Sequence, residues 1–170
     1  MPRDDLYEEA SRTFGAAIER LARSYEADSD RCRDLVQDIH VAIWRSLAKF
    51  ERQCSLRTWV YRVAHNVAAS HLLKQRRANR RALVSLEDAV EPQGPDPVAN
   101  VDRQITLHRL HDLIQKLQAI DRTVILLYLE GLEGASIAEI TGMSAGNVAT
   151  KIHRIKKNLI HRFKGERDAD

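Results

Sequence analysis

Apolar residues recur along most of this chain at helical spacing. Leu6, Phe14, Ile18 and Leu21 mark one such face between Asp5 and about Tyr25. Leu35, Val36, Ile39, Ile43 and Leu47 mark another between about Asp30 and Phe50. This spacing brings side chains back to one side of a helix and predicts two amphipathic helices. Glu51 to Cys54 is a short polar break. Ser55, a good N-cap, opens a third predicted helix that runs to about Ala82, with Leu56, Val60, Val63 and Val67 as its buried stripe.

The pattern stops at Glu91-Pro-Gln-Gly-Pro-Asp-Pro97, which holds three of the chain's four prolines. Proline removes a backbone donor and restricts the residue before it, so no helix crosses this stretch. With its acidic flanks, the segment 83–104 reads as a flexible interdomain linker. Beyond it, Ile114 to Leu117 and Val124 to Leu129 are two further apolar helical segments, and Gly131 and Gly134 bracket a turn. Ile137, Ile140, Met143 and Val148 are predicted to point into a small core. Ala138 suits a close helix approach, and Gly142 can take the positive φ of a sharp turn. Ser144 caps a last helix with the stripe Val148, Ile152, Ile155, Leu159 and Phe163. The predicted fold is all-α: two small helical domains, 1–82 and 105–165, joined by the linker, the second containing a helix-turn-helix. Residues 165–170 read as a frayed polar tail.

Charge sharpens this picture. The formal net charge is only +3, but it is unevenly spread. Arg45 to Arg81 carries ten Lys or Arg and one acid, Glu51. The first thirty residues carry eight acids against four bases, and Ala82 to Gln104 carries five acids against one base. Basic blocks between acidic ones suit either a polyanion-binding surface or plain solvated helix faces. Cys32 and Cys54 are too few and too far apart for a metal pair, and they fit a reducing cytoplasm. No apolar stretch approaches the roughly 18 residues that a membrane span needs, so no membrane insertion is expected.

Candidate chemistry follows from faces. The last helix offers Ser144, Gly146, Asn147, Thr150, Lys151, Arg154 and Lys157 away from its stripe. Short polar groups at a helix N-terminus suit base edges in a DNA major groove, and cations further along suit phosphates. Lys151 and Arg154 fit either class. An αα-hairpin with a basic outer face is the plainer alternative. On the second helix, Asp34, Gln37, Asp38 and Val41 share a mixed face, which suits solvent or a docked partner. On the third, Thr58, Arg62, His65 and Asn66 gather together, with Tyr61 at one edge. Mixed cationic, polar and aromatic groups can follow single-stranded nucleic acid. The helix then runs into Lys74-Gln-Arg-Arg-Ala-Asn-Arg-Arg81, suited to phosphates or simply to solvent. His108 and His111 lack a third ligand, and no phosphate loop, nucleophile–base pair or carboxylate dyad appears. No metal, cofactor or catalytic residue is therefore expected, and the chain does not read as an enzyme.

These residues carry a family resemblance. Asp34-Leu-Val-Gln-Asp-Ile39, Trp44, Phe50 and Ser55-Leu-Arg-Thr-Trp-Val-Tyr-Arg-Val-Ala-His-Asn-Val67 resemble the second conserved region of extracytoplasmic-function sigma factors. Leu117 through Phe163 resembles their fourth region. The resemblance implies a DNA-binding subunit that directs RNA polymerase to promoters, with core polymerase and promoter DNA as partners and an anti-sigma factor as a further candidate. It implies that Asp34, Gln37, Asp38 and Val41 dock on the polymerase clamp. It implies that the break at Glu51–Ser55, with Thr58, Tyr61, Arg62, His65 and Asn66, captures unpaired −10 bases. The helix from Ala145 would read the −35 element. Asp38 stands where the family typically has glutamate, and Glu133-Gly-Ala135 where an aromatic is common. A stand-alone helix-turn-helix regulator of duplex DNA is the rival reading, and it leaves the first-domain motif unexplained.

Overall fold

The structure, a computed structural model, describes residues 3–82 and 101–167. Most of the predicted linker and residues 168–170 lie outside the described residues, and the last helix extends through 165–167, which the sequence reading gave to a frayed tail. All described regular elements are helical. In chain order they are α1 (Arg3–Tyr25), α2 (Ser29–Ser46) and a 3₁₀ turn (Leu47–Lys49), then α3 (Leu56–Ala82), α4 (Val101–Gln115), α5 (Ala119–Leu129), α6 (Gly134–Thr141) and α7 (Ala145–Arg167). The chain divides into two compact units, Met1–Gly94 and Pro95–Asp170. The helix α4 starts at Val101, inside the stretch predicted as linker. Proline constrains its own φ and the residue before it, so Pro97 leaves the chain beyond it free to wind.

In the first unit α1, α2 and α3 pack against one another in all three pairings. Asp28 starts α2: its Oδ1 accepts from the Asp30 N–H at 3.1 Å and the Arg31 N–H at 2.8 Å. That is an N-cap two residues ahead of the predicted start. The predicted stripe of α2 is core: Leu35, Ile39, Ile43 and Leu47 are buried, with Val36 half-buried. In α3 the buried arc is displaced from the prediction. It runs through Val60, Tyr61, Ala64 and Ala68, while Leu56, Val63 and Val67 are half-buried. With two helices to face, α3 needs small residues at closest approach, and Ala64 and Ala68 supply them. Phe14 meets the Tyr61 ring edge-on at 6.1 Å between centroids. Glu26, buried just beyond α1, pins the far half of α3. Its Oε2 lies 2.9 Å from His71 Nε2 and accepts from Gln75 Nε2 at 2.6 Å, while Oε1 accepts from the Asp28 N–H at 3.1 Å. A carboxylate out of water needs such partners.

In the second unit α4, α5 and α6 each pack against α7. Leu113, Ile114, Val124, Ile125, Leu127, Ile137, Ile140, Val148, Ile155 and Leu159 form its core. The turn between α6 and α7 follows the predicted chemistry. Gly142 sits at φ 72°, and its N–H donates to the Ala138 carbonyl at 2.9 Å, closing α6. Ser144 then starts α7, its Oγ accepting from the Asn147 N–H at 3.3 Å.

Beyond Gly142 and its two chain neighbours, no heavy atom lies within 4 Å of where a Cβ on Gly142 would stand, so a substitution there tests backbone conformation alone. Gly142→Ala is expected to cost about 1 kcal/mol of stability from the left-handed φ, read as a lower denaturant midpoint with unchanged slope. An unaltered midpoint would show that the turn relaxes into another conformation.

Candidate nucleic-acid interface

The surface of α2 opposite its core stripe presents Asp34, Gln37, Asp38 and Val41, all exposed. Their spacing places them along one line on the helix. Val41 is 41% exposed and Trp44 37%, an apolar pair that water would not select. The Trp44 indole is nonetheless held in place. Its Nε1 donates to Asp4 Oδ1 at 3.1 Å, and the Arg3 guanidinium lies 3.6 Å from the ring centroid. Tyr7, Gln37, His40, Val41 and Trp44 line a shallow cavity of about 270 Å³. The two sides of this surface come from α1 and α2, a juxtaposition that α2's periodicity alone does not contain.

The predicted face of α3 is only partly a face. Tyr61 is 1% exposed and Thr58 5%, so neither reaches a ligand here. Tyr61 is a core residue because α3 turns it toward Phe14. Thr58 belongs to the helix start: its N–H donates to Ser55 Oγ at 3.0 Å, and the two hydroxyls lie 2.9 Å apart. Asn66 is exposed, while Arg62 and His65 are half-buried. His65 Nδ1 lies 3.3 Å from the Tyr25 hydroxyl. Burial holds its imidazole below the ordinary value of 6.5. Arg62 leans back toward the polar break, with Nη2 3.9 Å from Cys54 Sγ and its guanidinium carbon 5.8 Å from the Trp59 ring centroid.

The break itself is more structured than its polarity suggests. Phe50 and Trp59 pack at a 51° tilt with 5.3 Å between centroids across it, and Trp59 Nε1 donates to Ser46 Oγ at 3.0 Å. Arg52 takes φ 60°, a conformation that side chains other than glycine's seldom adopt. Leu6, Glu9, Phe50, Arg52, Cys54, Ser55 and Leu56 line a second cavity of about 320 Å³. Sequence reasoning gave Phe50 and Trp59 no role and included Arg52 only as part of the Glu51–Ser55 break. The available signal was the pair of aromatics flanking the break. Further along α3, Lys74, Arg76, Arg77 and Arg80 are exposed, which extends the positive surface.

On α7, Ser144, Gly146, Asn147, Thr150, Arg154 and Lys157 are exposed as expected. Thr150 Oγ1 donates to the Gly146 carbonyl at 3.0 Å. Lys151 differs from the expectation. Its side chain is 18% exposed, and its Nζ is ion-paired to Asp121 Oδ1 on α5. Arg154 Nη2 approaches Oδ2 of the same carboxylate at 3.6 Å while staying 69% exposed. The helix therefore offers a capped, small and polar N-terminus followed by cations, one of them tied back.

Comparison with known proteins places both units. The model for sigma-70 region 2 matches residues 11–78, and that for sigma-70 region 4 matches residues 107–159. RNA polymerase sigma-H factor of Pseudomonas aeruginosa is 28% identical over 140 residues, covering 78% of this chain and 72% of the relative. RNA polymerase sigma factor YlaC of Bacillus subtilis is 27% identical over 143 residues, covering 81% and 83%. Among solved structures, the sigma factor RpoE of Bartonella quintana, in complex with the anti-sigma factor NepR, superposes with a TM-score of 0.77. That match has 23% identity and covers 94% of this chain and 97% of that one. CnrH, solved with the cytosolic domain of CnrY, gives a TM-score of 0.65 at 25% identity, covering 96% and 88%. The chain belongs to the sigma-70 family as an extracytoplasmic-function sigma factor. As such it binds core RNA polymerase and directs promoter recognition and transcription initiation, which sets aside the stand-alone regulator. Among the described residues no helix is long and apolar enough to cross a membrane.

The buried imidazoles make the fold sensitive to acid. His40 and His65 both have folded values lowered by burial, from an ordinary 6.5. The unfolded chain then binds more protons, so these groups are without effect well above pH 6.5 and oppose the folded state as pH falls through that value. Stability is expected to decline on acidification from pH 7.5 to 5.5, and less steeply in His65→Leu. Equal slopes in denaturant melts of parent and variant would remove His65 as a cause.

Proposed function

We propose that three separate surfaces divide the work of initiation. The face of Asp34, Gln37, Asp38 and Val41 docks on core polymerase. Its support is an exposed line of polar groups with an exposed valine and the restrained Trp44 beside it. The edge of α3 carrying Arg62, His65 and Asn66, with the cavity at the Glu51–Ser55 break, receives unpaired −10 bases. Cations and aromatics side by side favour this use, since bases stack and the backbone follows charge. Thr58 and Tyr61 serve this edge from inside, as cap and core. The N-terminal half of α7 reads the −35 duplex from the major groove, as its cap and exposed Asn147 favour. The protein works in the cytoplasm and carries no catalytic step of its own. An anti-sigma factor is a further partner, by analogy with the solved complexes of RpoE with NepR and of CnrH with CnrY.

The observation that carries this reading is the coexistence, on one chain, of an exposed polar line with Val41 on α2, a cationic and aromatic edge on α3, and a capped helix α7 with polar groups followed by cations. The direct test is whether purified protein makes core polymerase initiate on a defined promoter. The docking face has its own test. Gln37→Ala with Asp38→Ala should weaken core binding while changing stability by about 0.5 kcal/mol or less, as exposed polar substitutions do. Undiminished affinity for core polymerase would place the docking face elsewhere.

Promoter reading by α7 separates two kinds of contact. Asn147→Ala should cost about 1–3 kcal/mol on the correct upstream element and relax preference at one or two base pairs. Lys157→Ala should weaken binding to all sequences alike and reduce the salt slope by about one. A binding series over single-base variants at several salt concentrations distinguishes them. A uniform loss for Asn147→Ala would make it a residue that positions the helix.

A further inference from the structure

We infer that Asp121 is a positioning residue for promoter selectivity: its carboxylate withholds Lys151 from DNA and steadies Arg154 toward it. The inference rests on the reading of α7 as the helix that meets the duplex. Asp121 lies in the first turn of α5, where the helix dipole favours a negative charge. Its side chain is 17% exposed, and its two oxygens serve two cations from successive turns of α7. Oδ1 takes the Lys151 ammonium in a charge-assisted bond, and that side chain is nearly as enclosed as the carboxylate. Oδ2 takes a looser hold on Arg154, whose guanidinium stays largely open.

The two cations differ in what they would do at DNA. A lysine is a flexible point charge that meets phosphates whatever the sequence, whereas an arginine fork can pair bidentately with guanine. Tying down the lysine removes an indiscriminate contact. Restraining the arginine reduces the rotamer freedom that it would lose on binding. Asp121 is thirty positions before Lys151 and bears no mark of DNA contact in the sequence.

The experiment uses holoenzyme assembled from core polymerase and the full chain. It measures affinity for a promoter duplex, its single-base upstream variants and a scrambled upstream element across a salt range. In Asp121→Asn the released Lys151 should reach a phosphate. Each such contact adds about 0.9 to the slope of log affinity on log salt, roughly a 3-fold change over a fourfold range of salt. Affinity for the scrambled element should rise and discrimination should narrow. Adding Lys151→Gln should return the slope to the parent's. Parental slope and discrimination in Asp121→Asn would overturn the inference. So would an equal loss on every sequence at parental slope, since that is what a purely structural tie between α5 and α7 would give.

A second measurement covers the case of a misfolded variant. In the free parent chain, the Lys151 amine should react with an acetylating reagent more slowly than the exposed Lys157, and equal reactivity would overturn the inference. If α7 does not meet the duplex at all, Asn147→Ala and Lys157→Ala will also leave binding unchanged. If the role of Asp121 alone is wrong, those two losses remain.

Discussion

The first unit depends on burying one helix, α3, against two others. α1 and α2 both lie on it, and the contact is made close by alanine: Ala10, Ala17 and Ala22 from α1 and Ala64 and Ala68 from α3 are almost wholly enclosed. Larger residues then fill the remaining space, with Tyr61, Ile18, Leu35 and Ile39 at 1% exposure or less. Each such side chain contributes about 1.5–3 kcal/mol by leaving water. The geometry sets what α3 can offer outside. With Thr58 and Tyr61 turned inward, the predicted nucleic-acid face leaves only Arg62, His65 and Asn66 reaching the surface. Those residues stand directly on the core, so they are held by it.

Burial on two sides also explains which parts of the fold were legible. α2 and α7 each show a single apolar stripe at helical spacing, and the buried residues are largely those that the spacing names. The glycine turn and serine cap between α6 and α7 were equally readable, because φ preference and capping are local properties. α3 misled because its inward arc mixes a tyrosine and alanines, types that no hydrophobicity pattern marks as core. The pattern followed the valines instead, and Val63 and Val67 turn out to flank the contact. The Asp121–Lys151 pair was invisible for a different reason. Its members are far apart in sequence, and either residue alone reads as surface.

The two surfaces that were best anticipated, on α2 and α7, are single-helix lines in which spacing determines the neighbours. The two cavities described in the first unit instead combine α1 with a later element. Tyr7 meets His40 at 3.1 Å from hydroxyl to Nδ1 beside one of them, and Leu6 and Glu9 form a wall of the other. Read from the sequence, α1 is a core helix and nothing more. Folded, it lines the cavity beside Val41 and Trp44 at one edge and the cavity at the polar break at another. Residues from a helix with no assigned role thus line both described cavities, because tertiary packing places them there.

A contrast among the cations ties these observations to function. Arg3 lies over Trp44, Arg62 reaches Cys54 and Trp59, Lys156 sits over Tyr128, and Lys151 and Arg154 share Asp121. Each of these side chains has lost part of its rotamer freedom on folding, so those that stay exposed, such as Arg154, have less to lose at a partner. Lys74, Arg76, Arg77 and Arg80 at the end of α3 are exposed, and exposed cations of this kind add affinity that salt erodes and sequence does not affect. A promoter must be held and also distinguished from other DNA. The exposed run at the end of α3 suits the holding. Distinguishing needs charges with fixed directions, and on the proposed reading of α7 Arg154, restrained by Asp121, is such a charge.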